Sequence, residues 1–286
     1  MSCSAIGTMK YPPLISPKSL RFVRDGALED LPLLIGSLAK RPSDLRTLGQ
    51  SARVLLGCVT LLDPDDPQAA RWLRLLARAY TLQAARLLPG DGPAALDLPL
   101  IGRVSVPRTD EAGLLSVHQY TDACHAALAL GDEEALALLG AVPTGALEGM
   151  DGAHLPHLLL EARSMKHYAL GEMRPSAVLA LEAAQACNSP ALSGGERDFA
   201  LMVVSPEMEL GTFWGGPAQE WEGRLHTALD LNRHYATLDK QGEPSPAACV
   251  VLGPLAYAAL RYAAGLPGGV AAPELPPALV ERRHAG

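Results

Sequence analysis

The sequence predicts an all-α protein, and three observations carry that expectation. Hydrophobic residues are 48% of the 286 and aromatics only 5%. Ala and Leu supply most of the apolar content; both lose little side-chain freedom in a helix, whereas strands favour β-branched and aromatic residues. Apolar positions also recur at three- and four-residue spacing over most of the chain, interrupted by Gly and Pro. The length is about twice that of a typical ~100–150-residue domain. We expect residues 1–286 to form a single helical domain, with a possible sub-boundary near 90–110 between N-terminal helices over 25–89 and helical hairpins over 111–280.

Taken in order, residues 1–24 hold Pro12, Pro13 and Pro17 with little periodicity and read as an extended arm. A first helix is expected over 27–39. Ser43 then stands at an N-cap position before Leu45, Leu48, Ala52, Leu55, Leu56 and Val59, one apolar stripe on a helix that ends at Asp63-Pro64. Asp66-Pro67 is a helix start, because the carboxylate caps free amides and Pro is tolerated at the first helical position. That helix should run to Leu88. Residues 90–110 are rich in Pro and Gly around Leu100 to Val106, read as a short strand or an extended linker.

Helical periodicity resumes over about 113–130, 132–141, 154–171 and 174–187. In two segments, around Gly131 and Gly171, a helix ends at Gly and the next begins at once. This predicts helical hairpins, packed as a multi-helix bundle or a short tetratricopeptide-like array. Residues 188–217 are again rich in Gly, Pro and Ser and are expected to be loops. Helices over 218–239 and 246–264 and a Pro-rich tail complete the chain.

Net charge is −7, and the acidity is unevenly placed: 12 basic and 9 acidic residues lie in 1–100, against 12 and 22 in 101–286. Phosphate recognition needs clustered Lys and Arg, so no nucleic-acid or anionic-membrane partner is expected. Cys3, Cys58, Cys124, Cys187 and Cys249 are scattered, odd in number and without a CxxC pair, which suggests neither a zinc cage nor a disulfide framework. With no basic flank before an apolar N-terminal run, a cytoplasmic protein is expected.

Several motifs bear on chemistry. Leu192-Ser-Gly-Gly-Glu196 spells an ATPase signature loop, but no GxxxxGK[ST] loop accompanies it, so no nucleotide role is assigned. His154, His157 and Glu161 stand at i, i+3 and i+7 and would offer three ligands to the metal of a hydrolase. The order is not HExxH, and Pro156 marks a helix start; the expectation is no metal, no cofactor and no enzyme. His118, His125 and Cys124 form a looser set, read as packing. Arg71, Arg74 and Arg78 make a basic stripe, either a solvated face or a pairing surface for an acidic partner or the acidic part of the same chain. Region 196–224 combines carboxylates with two of the three Phe and two of the three Trp. It reads either as a binding site for a basic protein surface or as aromatics plugging the core beneath solvated acids. On the first reading Glu207, Glu209, Glu220 and Glu222 steer a partner, and Phe213, Trp214 and Trp221 anchor it.

The C-terminal part resembles a known family. Ala228-Leu-Asp-Leu-Asn-Arg-His-Tyr235, Val250-Val-Leu-Gly-Pro-Leu-Ala-Tyr257, Gly265-Leu-Pro267 and Leu275-Pro-Pro-Ala-Leu279 are similar to the end of the immunity protein 49 family. Asn232 stands where that pattern has His, and Ala236 where it has Trp. Upstream, Leu62-Asp-Pro64 with Trp72, and Gly131-Asp-Glu-Glu134 with Val142-Pro143, match weaker segments. The resemblance covers about 55–280. It implies a non-enzymatic helical immunity protein of a bacterial polymorphic toxin system, whose partner is a cognate toxin domain. A tetratricopeptide-like adaptor or effector chaperone binding a peptide or secreted protein is the alternative.

Overall fold

Helix boundaries in this chain fall where a small polar residue, a proline or a glycine supplies the local chemistry. A computed structural model describes residues 15–238 and 245–281; of the arm expected over 1–24, residues 1–14, with Cys3, lie outside them, and residues 17–24 are helical instead. Helix α1 spans Pro17–Ser37, starting well before the expected Ala27. The Ser16 hydroxyl accepts the amide of Ser19 at 3.1 Å, and Pro17 is a first-turn residue rather than a breaker. Helix α2 (Asp44–Leu62) buries Leu45, Leu48, Ala52, Leu55 and Leu56 completely. Ser43 makes no capping bond; Asp44 in the first turn instead accepts the Ser37 hydroxyl. Helix α3 (Gln68–Ala85) packs on α2 and starts where the Asp66 carboxylate accepts the Gln68 amide at 2.8 Å.

The expected strand or linker is an antiparallel hairpin, β1 (Ala94–Leu98) with β2 (Gly102–Val106). Ala94, Leu96 and Leu98 alternate inward and β1 packs on α3, as period-two burial requires. Leu100 in the turn takes φ +74°.

Helix α4 (Val117–Leu130) is the axis of the molecule. Every residue in it except His118 is buried, and it packs on α3 and on two later helices, α7 (Pro156–Ala169) and α12 (Leu252–Ala263). A capping box starts α4: the Ser116 hydroxyl accepts the Gln119 amide and the Gln119 side chain accepts the Ser116 amide, each at 3.1 Å. Gly131 closes it at φ +66°, and Asp132 caps α5 (Glu133–Ala141). A short helix α6 (Thr144–Glu148) leads to α7, which turns at Gly171 (φ +75°) into α8 (Met173–Ala186). The two glycine-turned hairpins are therefore present, separated by α6 and its loops.

Residues 188–217 correct the expectation of loops. They hold α9 (Gly194–Phe199), one π-helical turn (Ala200–Val204) and α10 (Ser205–Phe213). The Gly and Pro that suggested loops sit at starts: Gly194 at φ +51° opens α9, and Pro206 lies in the first turn of α10, where its missing N–H costs nothing. Helix α11 (Ala218–Leu238), a 3₁₀ turn (Pro246–Cys249), α12 and a short α13 (Pro277–Val280) follow. Pro246–Ala263 is long and apolar enough to cross a membrane, yet 72% of that window is buried in the fold. One buried apolar cluster runs from Leu31 to Leu279, across the 90–110 segment.

Candidate functional site

Acidic and basic side chains inside an Ala- and Leu-rich helix are costly unless something compensates them, and α4 carries three on one side. His118, Asp122 and His125 stand at i, i+4 and i+7. Arg53 of α2 forms an ion pair with Asp122 and donates from Nε to the carbonyl of Ala247 at 3.2 Å. Burial pushes the Asp122 carboxyl up, but the Arg53 guanidinium together with His118 and His125 outweighs it and holds the group below the usual carboxylate range. His118 Nε2 lies 3.7 Å from Asp122.

Two more acids complete this polar centre. Glu161 of α7 is 2% exposed, and burial, reinforced by the neighbouring Glu207, pushes its carboxyl well above the ordinary range. Glu207 of α10 is also buried, and desolvation together with Asp122 lifts it to about 8. His125, 2% exposed, is pushed down to about 4 by burial against the opposing pull of Asp122. Its ring meets Tyr257 of α12 edge-on at 5.7 Å.

Glycine and the π turn allow this convergence. Positions four apart drift by about 40° around an α-helix; the wider π turn absorbs that drift, so Phe199, Val203 and Glu207 all line one cavity. A Cβ on Gly253 would lie 2.5 Å from Glu207 Cδ, and one on Gly211 2.7 Å from the Tyr257 hydroxyl. On the other side, a Cβ on Gly57 would lie 1.9 Å from the Pro246 carbonyl oxygen. Only a glycine lets the 3₁₀ turn approach α2 closely enough to place Ala247 over Arg53. The cavity, about 430 Å³, is lined among others by Arg53, His118, Asp122, His125 and Glu207.

The sequence-predicted residues divide. Trp221 is completely buried and Glu207 belongs to the polar centre, so neither belongs to a surface that a rigid partner touches. Glu209 and Glu220 are exposed beside a groove of about 430 Å³ between α10 and α11. Arg224 pairs with Glu209 at 3.0 Å and lies over the half-buried Phe213 ring at 4.3 Å. Trp214 and Glu222 are half-buried. Arg261 of α12 sits beneath them, fully buried, donating to the carbonyls of Trp214, Gly216 and Pro267.

The His154–His157–Glu161 face does not form. His154 precedes α7 and is exposed, while His157 is buried with neither ring nitrogen partnered. Glu161 joins His125 and Glu207 instead. His125 packs against Tyr257 with Glu161 and Glu207 beside it, whereas Cys124 is a fully buried thiol. Sequence reading missed Arg53 and Asp122. The available signal was a carboxylate at i+4 from His118 and three before His125, on a helix that ends in the apolar run over 126–130.

The sequence profile of immunity protein 49 matches residues 63–279. This chain belongs to the immunity protein 49 family. No curated protein and no solved structure matches it. The match to the immunity protein 49 family gives the local geometry a context. Its Leu-Gly-Pro-Leu-Ala segment is Leu252–Ala256 here, where Gly253 clears the space that Glu207 fills. Asn232 and Ala236, which depart from the family pattern, both line the cavity. The match begins after α2, so Arg53, the counter-ion of the polar centre, comes from outside the matched region.

Proposed function

We propose that this protein binds a cognate toxin domain in the cytoplasm of the cell that makes it and neutralises that toxin by covering its active site or substrate approach. The observation that carries this reading is membership of the immunity protein 49 family over residues 63–279. The acidic balance of residues 101–286 supports it, since such a surface attracts a basic partner and accelerates encounter. The surface we assign is the α10–α11 face. There Glu209 and Glu220 are exposed, Glu222 is half-buried, and Phe213 and Trp214 offer aromatic area at the end of α10.

An immune cell must leave almost no toxin free, so an interface of about 1,600 Å² and an affinity of about nanomolar or better are expected. The test is co-expression with the toxin-like domain encoded beside this protein, read by growth and by co-purification. Rescue with a one-to-one complex is expected; a harmless or non-binding neighbour would overturn the proposal. Phe213→Ala with Trp214→Ala should weaken the complex by more than ~2 kcal/mol if these are anchors, measured by calorimetry on variants with wild-type circular dichroism.

A further inference from the structure

His125 of α4, Glu161 of α7 and Glu207 of α10 come from three helices far apart in sequence. Each offers one ligand atom, and these atoms all lie within 4.8 Å of one another. All three side chains are more than nine-tenths buried. His125 Nε2 and Glu161 Oε2 have no hydrogen-bond partner, in a place where an orphaned polar atom ordinarily costs ~1–3 kcal/mol. Two carboxylates this close cannot both be ionised without a cation. Arg53 is already engaged by Asp122 and the Ala247 carbonyl. Protonation of both acids would relieve their repulsion, but no hydrogen bond joins either carboxyl to the imidazole Nε2. A doubly charged ion satisfies both carboxylates and the neutral imidazole together.

We propose that His125, Glu161 and Glu207 form a site for a divalent ion of the zinc, manganese and iron class, which ties α4, α7 and α10 together in the core. One imidazole with two carboxylates is a borderline-to-hard donor set that suits these ions. Ligands about a tetrahedral ion at ~2.1 Å lie ~3.4 Å apart, a contraction that two flexible glutamate side chains supply. His125 and Glu207 also line the cavity, so a remaining coordination position faces it and is open to water. Gly253 makes room for one ligand: a Cβ there would lie 2.5 Å from the Glu207 Cδ. The site does not depend on the toxin-binding proposal.

The test uses the full-length chain, purified without chelator, and measures metal by mass spectrometry. The protein is then stripped and titrated with Zn²⁺, Mn²⁺ or Fe²⁺ while its Tm is followed. The expected result is close to one equivalent per chain and a higher Tm on reloading. Glu161→Gln and Glu207→Gln should weaken binding more than the ~10–100-fold that loss of an outer-shell partner costs. The surface variant Glu182→Gln, on the exposed side of α8, should bind as wild type. Because a buried variant can fail to fold, Co²⁺ is also added to stripped wild type, where visible d–d bands without sulfur charge transfer are expected. A Tm that none of the three ions moves, or a cobalt spectrum dominated by thiolate bands from the buried cysteines, would overturn the proposal.

Discussion

Asp122 lies buried in α4 against an Arg53 side chain that keeps only 20% of its surface. In such pairs the two charges lose hydration and regain it as mutual attraction, so the net contribution of the pair is small. Removing one partner is a different matter, because the other is left charged and unpaired. Asp122→Ala should therefore destabilise the fold by ~3–5 kcal/mol at neutral pH, measured by urea unfolding. The sign of the pH dependence follows from the depressed carboxyl. Its contribution is complete above the unfolded value of ~3.9 and is lost as pH falls from there through the lower folded value. The gap between wild type and Asp122→Ala should narrow only in that acid window. Neither Arg53 nor Asp122 was legible as a pair, because 69 residues separate them and only the packing of α2 on the body brings them together. Glu207 was singled out, but for the aromatic and acidic company it keeps in sequence rather than for the buried company it keeps in space.

Among the elements, α2 and the 3₁₀ turn approach each other closely, and Gly57 permits it. In an exposed helix interior, Gly→Ala gains ~0.5–1 kcal/mol because alanine has less backbone freedom to lose. Here the added Cβ would meet the Pro246 carbonyl oxygen at 1.9 Å, and overpacking of that kind costs ~1–3 kcal/mol. The clash wins. Gly57→Ala should lower Tm, and the displaced 3₁₀ turn should show faster amide exchange over residues 246–252. The same element scale explains what periodicity delivered. Helices α2 to α5, α7, α8, α11 and α12 were readable from apolar spacing and caps. Helices α9 and α10 were not, since Gly194, Gly195 and Pro206 start helices and also look like loop residues. The distinction lies in φ and in position within the first turn, neither of which composition carries.

For the molecule as a whole, the boundary of the family match and the boundary of the cooperative unit differ. The match begins at residue 63, but α2 before it contributes the completely buried Leu45, Leu48, Ala52, Leu55 and Leu56 to the core and Arg53 to the polar centre. A chain starting at residue 63 would expose that face of α3 and leave Asp122 buried without its counter-ion. Such a truncation should lose near-ultraviolet circular dichroism and bind a hydrophobic dye, as loosely packed states do, whereas a chain starting at residue 15 should melt cooperatively. The unequal charge of the two parts of the sequence is also partly joined in the fold. Arg78 of α3, from the predicted basic stripe, holds Asp132 at 2.7 Å and Glu134 at 3.1 Å at the start of α5. Part of the acidity that suggests a basic partner is thus matched within the chain.

The three tryptophans occupy unequal places, with Trp72 and Trp221 buried and Trp214 only half-buried at the end of α10. Their emission is therefore separable: a soluble quencher such as iodide reaches chiefly one indole, and that indole stands on the face assigned to the partner. Trp214 is a native optical probe, and its loss of quenching on adding a toxin domain would report occupation of that face without any label.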